Sequence, residues 1–127
     1  MKKKKIIHTS EAPDAIGPYN QAVVVDDIVY CSGQIGLEPA NMEFAGNDIS
    51  SQTDQVIKNL IAVLNEAGSG LDKVIKCSIY LDDMDNFITV NEIYGEYFQD
   101  NSPARETVAV KTLPKNALVE ISCIAFR

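Results

Sequence analysis

The chain has 127 residues, a formal net charge of −7, three cysteines, one histidine and no tryptophan. That length suits a single domain over residues 1–127, and the acidity argues against bulk nucleic-acid binding, which usually needs a basic face. No apolar run approaches the ~18 residues of a membrane-spanning helix, and no apolar stretch of signal-peptide length follows the opening lysines.

Lys2 to Lys5 form the only basic cluster, read as a solvated arm leading into a first strand, Ile6 to His8. "EAPDAIGP", Glu11 to Pro18, is a Gly/Pro loop. Asn20 to Val25 and Ile28 to Ser32 follow as two strands, joined at Asp26-Asp27 in a hairpin turn. Gly33 to Asn47 holds no sustained period and is expected to be a long, partly ordered loop. Ser51 to Ala67 is the clearest helix, with Val56, Ile57, Leu60, Ile61, Val63, Leu64 and Ala67 on one stripe. Asp48, Ser50 and Ser51 are candidate N-caps, and Gly68 is a natural stop. Val74 to Leu81 is a strand expected to carry Ile75, Cys77, Ile79 and Leu81 on one face. A second helix runs from about Asn86 to Phe98, with Asp85 as cap and Phe87, Val90, Asn91, Tyr94 and Phe98 on its buried stripe. Next come a strand that opens at Arg105 in "PARETVAV" and reads as buried, a turn at Pro114-Lys115-Asn116, and a last strand from Leu118 to Phe126.

The order β-β-β-α-β-α-β-β makes the class α+β, and two helices cover only one face of such a sheet. In the last strand Val119, Ile121, Cys123 and Ala125 form the core face, while Leu118, Glu120, Ser122, Ile124 and Phe126 form the other. That second face is too apolar for water, so a second subunit is expected to cover it. With Val108 and Val110 on one face of the "PARETVAV" strand, Arg105 and Thr107 take the other, which is expected to be the face of Glu120.

Cys31, Cys77 and Cys123 lie in apolar β-like runs without metal-ligand spacing, so they read as buried thiols of a reducing, cytoplasmic setting. His8 is the sole histidine and stands near the terminus, so no Cys-His or Ser-His pair is expected and no metal set appears. Five features remain. Arg105 is one of two arginines against nine lysines, and its donor fork matches a carboxylate or phosphate. Glu120 is a carboxylate in an apolar strand, either a general base or the structural ion-pair partner of Arg105. Asn91 either holds a loop or touches a ligand; Tyr19 either closes over a ligand or packs in the core. Ser32-Gly33 at a strand end lets a group approach the backbone closely, or simply serves a turn.

The ordered set "AIGPYNQAV", "VYCSGQIG", "FITVNEIYGEYF", "SPARETVAV" and "LPKNALVEISCIA" resembles the Rid (YjgF/YER057c/UK114) family over about Ile6 to Arg127. The resemblance implies a chorismate-mutase-like α+β fold, assembled as a homotrimer around a central barrel with clefts between subunits. It implies hydrolysis of 2-imino acids such as 2-iminopropanoate and 2-iminobutanoate to 2-keto acids and ammonia, without a cofactor. In that frame Arg105 clamps the substrate carboxylate and Glu120 activates water. Tyr19, Ser32, Gly33 and Asn91 line or support the cleft, with Tyr19 and Asn91 contributed by different subunits. Thr107, the third catalytic candidate, whose hydroxyl would hold water, stands where many active members have cysteine, and Glu106 where a small residue is common; Glu106 is expected to point away from Arg105. Two other readings use the same residues. One is a non-catalytic small-ligand regulator; the other is the RNA cleavage and translation inhibition reported for some relatives, for which the sequence offers neither a histidine pair nor a basic face.

Overall fold

The computed structural model describes Lys2 to Arg127. Six strands form one sheet: β1 (Lys5–Ile7), β2 (Ala22–Val25), β3 (Ile28–Gln34), β4 (Val74–Leu81), β5 (Ala104–Ala109) and β6 (Val119–Phe126). Their spatial order is β1-β2-β3-β6-β4-β5. All pairs are antiparallel except β4 with β5. A parallel pair needs a long crossover, and helix α2 (Phe87–Tyr97) supplies it, while α1 (Ile49–Glu66) lies between β3 and β4 in the chain. No helix of the described residues is long and apolar enough to cross a membrane.

Local chemistry accounts for the turns. Asp26 and Asp27 both take positive φ, 50° and 64°, which matches the handedness a two-residue hairpin requires. At the start of α1 the Asp48 carboxylate accepts the Ser51 N–H at 2.9 Å. Gly68, at φ 80°, ends the helix, with Ser69 N–H donating to the Leu64 carbonyl at 2.8 Å. The cap before α2 is Asp83 rather than Asp85: its carboxylate accepts the Asp85 N–H at 2.8 Å and starts a short 3-10 turn, Met84–Asn86.

Both helices lie on one sheet face. Val56, Ile57, Leu60, Val63 and Leu64 of α1 and Val90 and Tyr94 of α2 share a core with Cys77, Ile79, Leu81, Val119, Ile121 and Cys123. Ile75 does not join them. The β4–β6 register shifts between Val74 and Lys76, so Val74 is buried while Ile75 is left 44% exposed. One extra residue in a strand swaps the faces of everything before it. The opposite face carries Tyr30, Val108 and Phe126, each 46% exposed, an apolar surface left open in the protomer.

The strand that opens at Arg105 is a sheet edge, not a buried strand: Ala104 to Glu106 and Val108 and Ala109 are exposed. Its faces are also the reverse of the expectation. Arg105 pairs with Cys77 and Thr107 with Ile79, both core residues, so Arg105 and Thr107 lie on the helix-covered face. Glu120 pairs with Tyr80 and lies on the open face.

Gly33 to Asn47 is more ordered than its lack of period suggests. Leu37 bridges Phe44, and the fully buried Asn59 amide of α1 donates to the carbonyls of Ile35 and Leu37. Gly36 sits on the first turn of α1, where an added Cβ would meet Gln52 Cα at 2.8 Å and its carbonyl oxygen at 2.9 Å. Those are backbone atoms and cannot swing aside. Gly36→Ala is therefore expected to destabilise the protein by about 1–3 kcal/mol, read by urea unfolding at fixed protein concentration. A change below about 0.5 kcal/mol, the scale of an ordinary surface substitution, would show that this packing is loose.

Candidate functional site

The sequence-derived residues fall into two groups that one protomer does not bring together. The first surrounds Glu120. At Gly33 the β3–β6 register shifts between Cys31 and Gln34, and bulges of this kind re-aim side chains beside sites. A Cβ at Gly33 would lie 2.8 Å from both Cδ and Oε2 of Glu120, so the carboxylate rests directly on the glycine. Ser32 is a brace: its hydroxyl donates to the Asn20 carbonyl at 2.6 Å and its N–H to the Gln21 carbonyl at 2.9 Å. This ties β3 to the turn carrying Tyr19, whose ring is half exposed and lines a pocket with Gly33. Tyr19 is thus a surface residue rather than core. Glu120 makes no hydrogen bond or ion pair to any described residue, and burial alone raises its pKa above the ordinary 4.5.

The second group surrounds Arg105. Its guanidinium lies over the Tyr94 ring at 5.0 Å from the centroid and over Phe87 at 5.8 Å, a cation–π seat. Asn91, exposed rather than buried, accepts from Arg105 Nη1 at 2.6 Å. Phe87, Asn91 and Tyr94 are spaced i, i+4, i+7 on α2 and present one stripe to β5. Phe87 and Tyr94 were not singled out from sequence for this role; their place beside Asn91 on a single stripe was the available signal. A groove beside the guanidinium is lined by Asn91, Tyr94, Gly95, Phe98, Ser102 and Pro103. Two buried hydroxyls, Thr107 Oγ1 and Tyr94 Oη, lack a hydrogen-bond partner among the described residues, and burial beside the Cys77 thiol raises the Tyr94 pKa far above its usual range.

The expected pairing of Arg105 with Glu120 is overturned by the sheet. The register sets two strand spacings of about 4.8 Å and three residues of about 3.3 Å between them, on the order of 14 Å between Cα atoms, and the side chains leave opposite faces. Among the described residues neither Arg105 nor Glu120 has an ion-pair partner. Glu106, by contrast, points away from Arg105 as expected. It is held by Ser78 and by Lys76 at 3.0 Å, and its pKa is lowered by the Ser78 hydrogen bond and then by Lys76. Among the described residues no group of three His, Cys, Asp or Glu side chains is placed to hold a metal ion.

Comparison with known proteins fits this arrangement. The profile of the Endoribonuclease L-PSP family matches residues 9–127. A RutC family protein of Pyrococcus abyssi is 44% identical over 124 residues, covering 98% of each chain. The human 2-iminobutanoate/2-iminopropanoate deaminase is 41% identical over 124 residues, 98% of this chain and 90% of that one. Among solved structures, YyfA of Yersinia pestis, of the Rid protein family, superposes with a TM-score of 0.96 at 48% identity, covering 98% of this chain and all of that one. Escherichia coli TdcF, solved with bound serine, gives 0.93 at 38% identity over 97% and 98%. With its sheet, its two helices and its sequence matched nearly end to end, the chain belongs to the Rid family of Endoribonuclease L-PSP proteins.

Proposed function

We propose that this protein hydrolyses 2-imino acids, of the 2-iminopropanoate and 2-iminobutanoate class, to 2-keto acids and ammonia, at a site assembled between two subunits of a homotrimer. The observation that carries the proposal is the pair of unmatched charges, Arg105 on the helix-covered face and Glu120 on the open face. Two half-sites on opposite faces of one sheet become whole when the open face of one subunit meets the β5 edge of the next. The apolar surface at Tyr30, Val108 and Phe126 supports such a contact. So does the deaminase activity in the name of the human relative. Serine bound to TdcF supports a site able to hold a small α-carboxylate. The reduced, buried cysteines suit the cytoplasm.

In this reading Arg105, already oriented by Tyr94, Phe87 and Asn91, takes the substrate carboxylate in a two-point grip. The Glu120 of the adjoining subunit accepts a proton from water as its oxygen attacks C2. The resulting carbinolamine collapses to the keto acid once that proton reaches the nitrogen. The balance is R–C(=NH2+)–COO− plus H2O giving R–CO–COO− plus NH4+. Gly33 leaves room for the Glu120 carboxylate to lie against β3. The ribonuclease in the family's name is not carried over, since a chain of net charge −7 with one histidine has neither the acid–base pair nor the field for that substrate.

Subunit mixing tests the assembly. Arg105→Ala should lose about 30- to 5,000-fold in kcat/KM, and Glu120→Gln about 10²- to 10⁴-fold in kcat. Co-refolded one to one, the two inactive variants should recover about a quarter of parental activity, because random assembly gives each closed-ring interface a one-in-four chance of an intact Arg105–Glu120 pair. A mixture no better than its components would place the whole site within one chain and sink the composite reading.

The pH dependence of kcat gives an independent check. In the substrate complex the carboxylate neutralises Arg105, leaving burial as the main influence on Glu120. A base raised above 4.5 is protonated below its pKa, so kcat should fall on the acid side with a midpoint above 4.5 and rise as Glu120 ionises. The residual rate of Glu120→Gln should lose that limb. An acid limb that survives the substitution unchanged would assign the base to another group.

A further inference from the structure

Residues 82–103 carry Asp82, Asp83, Asp85, Glu92, Glu96 and Asp100, and not one lysine, arginine or histidine. The segment runs from the short 3-10 turn through α2 to the start of β5. All six carboxylates are exposed, and among the described residues none has an ion-pair partner. The last turn of α2 holds no basic residue either, so nothing there offsets the negative end of the helix dipole. The carboxylates are spread along the surface, and no three are placed to hold a metal ion.

Within this field α2 turns outward a face that its own fold does not use. Ile88, Glu92 and Gly95 are spaced i, i+4, i+7 and share one stripe, with Met84 one turn before Ile88. Ile88 is 70% exposed and Met84 44%. Gly95 lies inside the helix with ordinary helical backbone, and a Cβ added there would meet no atom within 4 Å. Neither backbone conformation nor packing within the chain calls for glycine, and alanine would favour the folded helix about four- to fivefold. A glycine kept on an exposed helix face against that preference lets another backbone come close.

We propose that this face of α2 is a docking surface for a basic amphipathic helix of another protein, with small and aliphatic residues along its seam and lysines or arginines beside them. Met84 and Ile88 supply the apolar anchor, Gly95 the close approach, and Glu92 and Glu96 the charge that selects the partner. A second copy of this chain fits poorly, because at net charge −7 it is repelled and its only basic cluster, Lys2 to Lys5, leads into a strand rather than a helix. Asn91 and Gly95 also line the groove beside Arg105, so a partner seated here lies at the mouth of that groove. The inference stands on the surface of α2 and does not depend on the deaminase reading.

The probe is a fluorescein-labelled peptide of lysine, leucine and alanine, patterned as an amphipathic helix, titrated with the full chain and read by fluorescence anisotropy. The parent should bind it, and several-fold more weakly when salt is raised about tenfold. Ile88→Ser should weaken binding at least about tenfold, the scale of one buried aliphatic side chain, and Glu92→Lys several-fold. Gly95→Ala should raise the urea midpoint of unfolding yet weaken the peptide several-fold, a combination that a merely structural glycine does not give. Glu66→Lys, at an exposed carboxylate ending α1, makes the same charge change and should leave binding within about twofold of the parent. No binding by the parent, equal losses from Glu92→Lys and Glu66→Lys, or parental binding by Gly95→Ala overturns the inference. So does sedimentation in which Ile88→Ser breaks up the parental assembly, which would make this face a contact between copies.

Discussion

Successive side chains of a β-strand leave opposite faces, and that period of two governs everything this protein does with its charges. Arg105 stands in register with Cys77 and Glu120 with Tyr80, neighbours that point opposite ways from β4. No rotamer change lets the two meet across the intervening strand. Had they paired, each would have neutralised the other and the chain would carry a structural ion pair. Kept apart, each is available to a partner from outside. Arg105 avoids the cost of isolation through two aromatic faces and one amide, while Glu120 meets it by holding its proton more tightly.

Around this division the fold spends its buried amides on loops. Gln21, Gln52 and Asn59 are each at most 3% exposed. Gln52 accepts the Leu118 N–H at 2.9 Å and donates to the Gly46 carbonyl at 3.0 Å, joining the start of β6 to the loop before α1. A satisfied buried amide adds on the order of 1 kcal/mol per hydrogen bond, and an unsatisfied one costs more. These side chains therefore select one loop conformation. That is why a segment with several glycines and no period is well ordered next to Gly33 and Glu120.

Much of the architecture was legible from residue patterns. The stripe on α1, the Asp26-Asp27 turn, the Gly68 stop and the alternation in β6 each follow from one periodic or conformational rule. What escaped depended on neighbours that a pattern cannot name. Ile75 alternates correctly in the sequence, but a bulge against β6 turns it outward. Val108 and Val110 look like core residues because β-branched alternation looks the same at an edge as in the middle. Once β5 is an edge running parallel to β4, the face covered by α2 receives Arg105 instead. Asn91 sits on the predicted stripe, yet that stripe ends at the guanidinium rather than in the core. The candidate residues were thus identifiable by type, while their division into two groups needed the strand order.

The three cysteines have a use that their inertness makes available. Cys31 and Cys77 both stand opposite Cys123 in the register, across three adjacent strands at the centre of the sheet, and all are reduced and nearly inaccessible. They lie on the sheet face that α1 and α2 cover, so a thiol reagent in solution reaches them only when that core opens. The labelling rate in native buffer, followed with a chromogenic disulfide, therefore clocks the opening of the core, with no introduced probe. Since those strands bear Gly33, Glu120 and the register partner of Arg105, the same clock run with and without an added keto acid reads whether a ligand there slows the opening of the core.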